Sequence, residues 1–451
     1  MKKNEIVRLE ITDITSDGNG VGKYDSVAVF VPETAVGDLV DVKIVKVLKS
    51  YCFGIVHQMI KPSPDRVKSD CPYFPKCGGC SLRHISYEAE CRHKEKIVYD
   101  AFTRIGKIQA EFMPILGCTD PDKYRNKAQY PVGKTDKGAV CGFYAKRSHR
   151  IIGGTKCRLL PDVFTRIADT VMEYLNRNKI QGYDEMAHKG TVRHIFIRQG
   201  YHSKEIMVCL VTANNKREKF DGLCDMLTEN FPQIKSIVMN VNPDNTNVIL
   251  GKKTVVLRGN SHITDTMCGN SIDIAPEAFY QINTPQAEAL YRQAEEFAKL
   301  KESDTLLDLY CGAGTIGLSM AKKAQKLIGV EIIPQAVENA RKNAKANGID
   351  NAEFICSDAG KAADELAGQG ICPDVITLDP PRKGCDTLTL DSVVKMSPER
   401  IVMISCNPAT AARDCAYLET KGYKVQKVRA VDMFPRTNHV ECVVLLSREK
   451  S

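Results

Sequence analysis

The chain has no run of 18 consecutive apolar residues, which excludes helical membrane spans. Its first residues, Met1-Lys-Lys-Asn-Glu-Ile-Val-Arg-Leu-Glu10, have no apolar segment ahead of a cleavage site, so the protein is expected to be unprocessed, soluble and cytoplasmic. An excess of one charge is also largely missing. The 63 Lys and Arg stand against 55 Asp and Glu, and the resulting formal charge of +8 suits a polyanionic partner without requiring one. Cysteine, in contrast, is plentiful at 18 residues. Without a secretion signal, so many thiols point to buried, catalytic or metal-binding roles, with disulfides the least favoured use. At 451 residues the chain exceeds a single core, and about two to four domains are expected.

Residues 1–62 read as a small β domain. Val40, Val42 and Ile44 alternate with Asp41 and Lys43, the period of a half-buried strand. A turn-rich run, Ser16-Asp-Gly-Asn-Gly-Val-Gly-Lys23, precedes a second strand at 26–31. Several short strands in so few residues suggest an OB-like barrel, with Lys43, Lys46 and Lys49 available to follow a phosphate backbone. A plain adaptor domain is the alternative.

Residues 63–270 read as mixed α+β. They begin with the strongest metal-type signal in the chain, Cys71-Pro-Tyr-Phe-Pro-Lys-Cys77-Gly-Gly-Cys80. Two cysteines separated by two residues turn their thiolates toward one centre, and the glycines between them let the backbone wrap closely. An iron-sulfur cluster takes four thiolates, so a fourth is missing, and Cys91 and Cys157 are the candidates. A four-cysteine zinc site is the alternative. Further on, Val163, Ile167, Val171 and Leu175 recur every fourth residue, predicting an amphipathic helix over 161–178. Arg125, Lys127, Arg193 and Arg198 lie among aromatic residues in strand-like runs, a mixture that suits phosphate contact with base stacking.

From 271 to 451 helices and apolar strands alternate, as in a parallel sheet covered on both faces. Strands are expected at 305–309, 327–331, 352–355, 374–379, 400–405, 423–431 and 440–446, the last two as an antiparallel pair at one side. Gly312, Gly314 and Gly317 form a Gly-x-Gly-x-x-Gly turn after the first strand, and Glu331 closes the second. Such glycines admit a ligand to the backbone, and a carboxylate at that strand end holds ribose hydroxyls, so the pattern indicates an adenosine cofactor. Asp308 before the glycines and Asp379-Pro-Pro-Arg382 favour S-adenosylmethionine over NAD.

The next strand ends in Ile401-Val-Met-Ile-Ser-Cys-Asn-Pro408, placing Cys406 at the carboxyl edge of the sheet, where ligands bind. A tyrosine in place of Arg382 would indicate methylation of an exocyclic amine. Arginine there, with Cys406 nearby, indicates methylation of carbon. C5 of uracil is a poor nucleophile until a thiolate adds to C6, and a base must then remove the C5 proton. Cys406 is the expected nucleophile and Glu441, in Asn438-His-Val-Glu-Cys-Val443, the expected base.

In combination, Ala275-Pro-Glu-Ala-Phe-Tyr-Gln281, Asp308-Leu-Tyr-Cys-Gly-Ala-Gly-Thr315, Asp379-Pro-Pro-Arg382, Ser405-Cys-Asn-Pro408 and His439-Val-Glu441 resemble the TRAM-domain-containing RNA (uracil-5-)-methyltransferases, of the type acting on 23S rRNA. The resemblance covers almost the whole chain. It implies a TRAM domain at 1–62, an iron-sulfur and RNA-binding region at 63–270, and a Rossmann-like methyltransferase domain at 271–451. It further implies Cys406 and Glu441 as catalytic residues and Gln281, Tyr310, Glu331 and Asp379 at the pocket for cofactor and base. Cys71, Cys77, Cys80 and Cys157 would hold a 4Fe-4S cluster. The expected partner is RNA, presented as a single-stranded or loop uridine to a monomeric enzyme. Related enzymes acting on tRNA form a second reading, and an RNA-binding redox sensor with an idle methyltransferase fold a third. Gly153 and Gly154 permit a tight turn at Cys157, whereas Cys91 lies in a charged helical run, 87–99. Because the cysteine arm lies far upstream of Cys406, in another expected domain, loss of the cluster is expected to affect RNA binding and folding more than chemistry.

Overall fold

The computed structural model describes residues 1–449. At the N-terminus a six-stranded sheet forms in which Leu39–Val47 pairs with both Ile6–Glu10 and Tyr51–Lys61. Its two outer strands, Ile6–Glu10 and Asp13–Ile14, are successive parts of one run of chain, so the sheet curls back on itself into a small barrel. Val40, Val42 and Ile44 turn inward against Val29, Val31 and Cys52, while Lys46 and Lys49 remain exposed. No helix among the described residues is long and apolar enough to cross a membrane.

The central sheet has seven strands, in the order 151–153, 138–144, 127–135, 192–199, 206–212, 234–241 and 253–259. The helix Asp162–Arg177 starts directly after Pro161 and buries Ile167, Val171 and Leu175 against one face of this sheet, as their spacing predicts. The other face enters a different core. Phe196, Met207, Cys209 and Val238 pack with the hairpin 263–274, the helix Thr284–Ala298 and the C-terminal sheet in one continuous hydrophobic cluster. The central and C-terminal regions are therefore welded along a broad apolar face.

The C-terminal sheet has eight strands, in the order 352–356, 326–331, 305–309, 375–378, 400–405, 441–448, 423–431 and 111–116. The first five run parallel, and Glu441–Arg448 is inserted antiparallel between Arg400–Ser405 and Tyr423–Val431. The expected antiparallel pair is present, but the sheet does not end there. Glu111–Leu116, from the region expected to be central, adds a parallel edge strand beside Tyr423–Val431. Its sequence hides it because Pro114 supplies no ladder donor, which is tolerable only at an edge.

The charged run from 87 does form a helix, Tyr87–Asp100, but part of its charge faces inward. Lys94 is fully buried and its Nζ donates to Glu90 at 2.7 Å, Asp432 at 2.6 Å and the carbonyl of Phe434 at 3.1 Å. A buried ammonium persists only where such partners replace its water. This network ties the upstream helix to the loop that leads into Glu441.

Candidate active site

Four of the expected site residues lie where parallel strands end. Tyr310 follows Thr305–Leu309, Glu331 closes Lys326–Glu331, Asp379 follows Val375–Leu378 and Cys406 follows Arg400–Ser405. Glu441 reaches the same edge from the opposite direction. In the antiparallel pairing Ser405 opposes Cys442, so the register carries Glu441, the first residue of the last strand, beside Cys406. Opposed residues of such a pair have Cα atoms about 4.5–5.5 Å apart.

Cys406 is half-buried in a strand-turn-helix corner. Asn407 caps the following helix, accepting from the amide of Ala409 at 3.2 Å, and Pro408 starts it. The Asn407 side chain also donates to the carbonyl of Arg382 at 2.9 Å, stitching the Asp379-Pro-Pro-Arg382 turn to the cysteine turn. Burial pushes the Cys406 thiol up, the carboxyls of Glu441 and Asp379 push the same way, and the Arg382 guanidinium opposes them. The positive end of the 408–419 helix acts in the same sense as Arg382.

Burial alone lifts the Glu441 carboxyl from 4.5 to about 7, at a residue only 6% exposed. Asp379 is raised well above its ordinary range by burial and by Glu441 and Asp308. Cys406, Glu441 and Asp379 thus share one poorly hydrated space in which they cannot all be charged cheaply. A carboxyl raised in the fold contributes stability below its unfolded value, and that contribution is lost as pH rises through about 7. Glutamine mimics the protonated form. Glu441→Gln should therefore unfold at nearly the wild-type urea midpoint at pH 5 but be more stable at pH 8.5, by up to about 3 kcal/mol. Equal midpoints at pH 8.5 would show that Glu441 is not held in a desolvated site.

The glycine turn is built for close approach. Gly312 has φ +55°, and a Cβ there would meet nothing within 4 Å, which leaves its outer side open. A Cβ on Gly317 would stand 2.8 Å from Asp308 Oδ2, which accepts from the Gly317 amide at 3.0 Å. Asp308 also accepts from Thr377 Oγ1 at 2.6 Å and is fully buried, so it braces the turn from behind. Glu331 accepts from the amides of Gly312 at 3.1 Å and Ile333 at 2.9 Å. Beside it Ile332 and Ile333 are exposed, an apolar wall next to a carboxylate and an open glycine. Donor set and shape fit an adenosine cofactor with its ribose at Glu331 and its purine on the isoleucines.

The irregular segment carrying Gln281 is held by two residues. Asn126 donates to the carbonyl of Gln281 at 2.7 Å, and Arg198 donates to those of Ala275 at 3.1 Å and Ala278 at 2.6 Å. Arg198 is thus a buried brace rather than a phosphate contact, and so is Arg193, whose guanidinium donates to the carbonyls of Asn242, Asp244 and Thr246. Both were expected to face RNA. Their alternation within strands does not reveal that both faces of this sheet are covered.

Two residues at the site escape a reading of local pattern. Tyr291 lies fully buried beside Thr315, Gln281, Asp379 and Glu441, yet in sequence it is one more apolar position on a helix face. Phe279 is 75% exposed two residues before Gln281, an unusual place for a bare aromatic ring.

The upstream cysteines gather elsewhere. Cys71, Cys77, Cys80 and Cys157 line one cavity of about 340 Å³ together with Arg125 and Lys127. Cys91 stands apart from them, beside Tyr87 and Asp432. Among the described residues no three His, Cys, Asp or Glu side chains are arranged to hold a single metal ion. Burial raises the thiols of Cys77, Cys80 and Cys157, and Arg125 opposes the rise at all three. Arg125 Nε is buried with no hydrogen-bond partner. Four cysteines around one cavity are the donor set that a thiolate-held cluster would need.

The cysteine arm also adjoins the catalytic loop. The amides of Ser81 and Leu82, directly after Cys80, donate to the carbonyl of Arg436 at 3.0 and 3.1 Å, and Ser81 Oγ bonds Asn438 at 3.1 Å. The wide sequence separation between this arm and Cys406 therefore does not keep the arm from the loop that leads into Glu441, because distance along the chain is not distance in the fold.

The chain is similar to known proteins. Residues 203–449 match the tRNA (Uracil-5-)-methyltransferase family model and residues 2–57 match the TRAM domain. The chain is 46% identical to an uncharacterized RNA methyltransferase of Halalkalibacterium halodurans over 99% of this chain and 98% of that one. It is 43% identical to another of Oceanobacillus iheyensis over 100% and 98%. Its fold superposes with a TM-score of 0.78, at 26% identity, on the Pyrococcus abyssi tRNA (uracil-54, C5)-methyltransferase in complex with S-adenosyl-L-homocysteine, covering 98% of this chain and 100% of that one. With the barrel, the glycine turn and the Cys406–Glu441 edge in the same chain, this protein belongs to the RNA (uracil-5-)-methyltransferase family and carries an N-terminal TRAM domain.

Proposed function

We propose that the chain methylates C5 of a uridine in 23S ribosomal RNA. The observation that carries the chemistry is the antiparallel register that sets Glu441 beside Cys406 at the cofactor edge. S-adenosylmethionine supplies the methyl group when bound. The Cys406 thiolate would add to C6 of the uracil, and the electron pair displaced to C5 would form the new carbon-carbon bond to that methyl group as the methyl–sulfur bond breaks, leaving S-adenosylhomocysteine. Glu441 removes the proton left on C5, the C5–C6 double bond re-forms and the C6–S bond breaks, which returns the free thiolate. Arg382 favours the thiolate before addition. Gln281, Tyr310, Glu331 and Asp379 enclose cofactor and base. Phe279, exposed beside this pocket, offers a ring to stack where a flipped uracil leaves its neighbours. An RNA substrate is in keeping with a cytoplasmic enzyme.

The motif combination with the cysteine arm favours ribosomal RNA. The likeness to a tRNA enzyme supports a second reading, uridine in transfer RNA. The test is incubation of the protein with methyl-labelled cofactor and, separately, 23S rRNA and tRNA, followed by digestion to nucleosides. Labelled 5-methyluridine from rRNA alone is expected. Label in tRNA alone would favour the second reading, and the absence of 5-methyluridine from both would sink the uracil assignment.

We further infer that Cys71, Cys77, Cys80 and Cys157 hold a 4Fe-4S cluster, with Arg125 and Lys127 balancing its charge. The cavity they line and the unpartnered Arg125 Nε support this. Protein prepared anaerobically should be brown with about four irons per chain. Cys157→Ser should lose most of the iron and Cys91→Ser should retain it. A colourless wild type carrying one tightly held zinc would overturn the assignment.

A further inference from the structure

Another cavity, of about 510 Å³, opens in the central domain, lined in part by the 127–135 and 138–144 strands. Tyr144 and His149 stack in it, ring centroids 5.0 Å apart and 22° from parallel. Glu185 fixes both rings: it accepts from the Tyr144 hydroxyl at 3.1 Å and bonds His149 Nδ1 at 2.9 Å. At the back lies His194, 7% exposed, whose Nδ1 has no hydrogen-bond partner. Burial pushes its imidazole down to about 4, so at neutral pH it is uncharged and can both donate and accept. Two exposed cations, Lys134 and Arg150, line the cavity as well. Two carboxylates share this lining: Glu185 is bonded to both rings, and Asp184 accepts from the amides of Met186 and Ala187 at 3.0 Å.

We propose that this cavity is a second RNA subsite, which takes one unstacked nucleobase from the strand flanking the target uridine. A flat, preassembled aromatic pair provides a stacking face, the uncharged His194 imidazole forms part of the wall against which a base would lie, and Lys134 and Arg150 are placed to receive phosphates. Its position suits a flanking nucleotide. Asn126, which holds the carbonyl of Gln281, directly precedes the strand Lys127–Thr135 that reaches Pro131 on the cavity wall, a path of roughly 17 Å at about 3.4 Å per residue. Lys146, just after Tyr144, pairs with Glu33 of the N-terminal barrel at 3.7 Å, so this hairpin also abuts the barrel. The subsite deepens the RNA methyltransferase reading and rests on it.

The test is an abasic scan. A loop-containing rRNA fragment is made with a single abasic nucleotide at successive positions on either side of the target uridine, and its dissociation constant is measured for the wild type and for the double variant His149→Ala, Arg150→Ala. Both replaced side chains are exposed, so the variant should fold. One flanking position is expected at which base removal weakens wild-type binding about tenfold, in line with the stacking of a single base. The variant should bind the intact RNA about tenfold more weakly than wild type and be indifferent to the same abasic substitution. A scan with no sensitive position, or a variant that retains that sensitivity, would overturn the subsite. Formation of 5-methyluridine by the wild type on the intact fragment reports separately on the methyltransferase reading.

Discussion

Replacing Cys406 by alanine should lower methyl transfer by about ten-thousand-fold or more, while affinity for S-adenosylhomocysteine changes by less than about threefold. The difference follows from the sheet edge. Glu331, Gly312 and Tyr310 stand at the ends of the 326–331 and 305–309 strands, whereas Cys406 ends a strand beyond the 375–378 strand. With 5-fluorouridine at the target position, the wild type should form a methylated adduct stable to denaturing electrophoresis, because fluorine cannot leave as a proton does. The alanine variant should form none. Turnover by the variant above about one hundredth of the wild-type rate would show that addition to C6 does not need this thiol.

Glu441→Gln should behave differently, accumulating a covalent protein-RNA species even with ordinary uridine. Glutamine keeps the shape of the carboxyl but cannot accept the C5 proton, so thiol addition and methylation proceed and release stalls. Turnover should fall by about a hundred- to ten-thousand-fold. The adduct, rather than the loss of rate, distinguishes the roles: a variant that is inactive and forms no slow-migrating band would place Glu441 in support of Cys406 and not in proton removal. Because the same variant should be more stable than wild type at high pH, loss of activity could not be blamed on unfolding.

The loop from Asp432 to Val440 explains how distant sequence reaches this chemistry. Lys94 and Tyr87 of the upstream helix hold Asp432, Ser81 and Leu82 of the cysteine arm hold the carbonyl of Arg436, and Asn438 donates to Ser16 of the barrel at 2.6 Å. Barrel, cysteine arm and helix all meet the few residues that deliver Glu441. Damage to the cysteine arm therefore has a short structural route to the base, alongside any effect on RNA binding.

Much of this organisation was written locally. Alternation of Val40, Val42 and Ile44, the four-residue spacing from Val163 to Leu175, the glycine turn after Thr305–Leu309 and the abrupt end of Arg400–Ser405 each depend on neighbours within a few positions, and each appears where the pattern puts it. The amino-acid sequence by itself thus determined the order of the strands along the chain and the placing of Tyr310, Glu331, Asp379 and Cys406 at strand ends. Tertiary structure decided what depends on pairing across long separations. Insertion of the last strand between two others set Glu441 opposite Cys406, and edge pairing brought Glu111–Leu116 into the same sheet. Burial on both faces of the central sheet turned Arg193 and Arg198 into internal braces, and folding placed Cys157 with the upstream cysteines. Local periodicity records which side of an element is apolar. It carries no information about which distant element covers that side, and that choice decides whether a charged or polar residue becomes a brace, a base or a binding group.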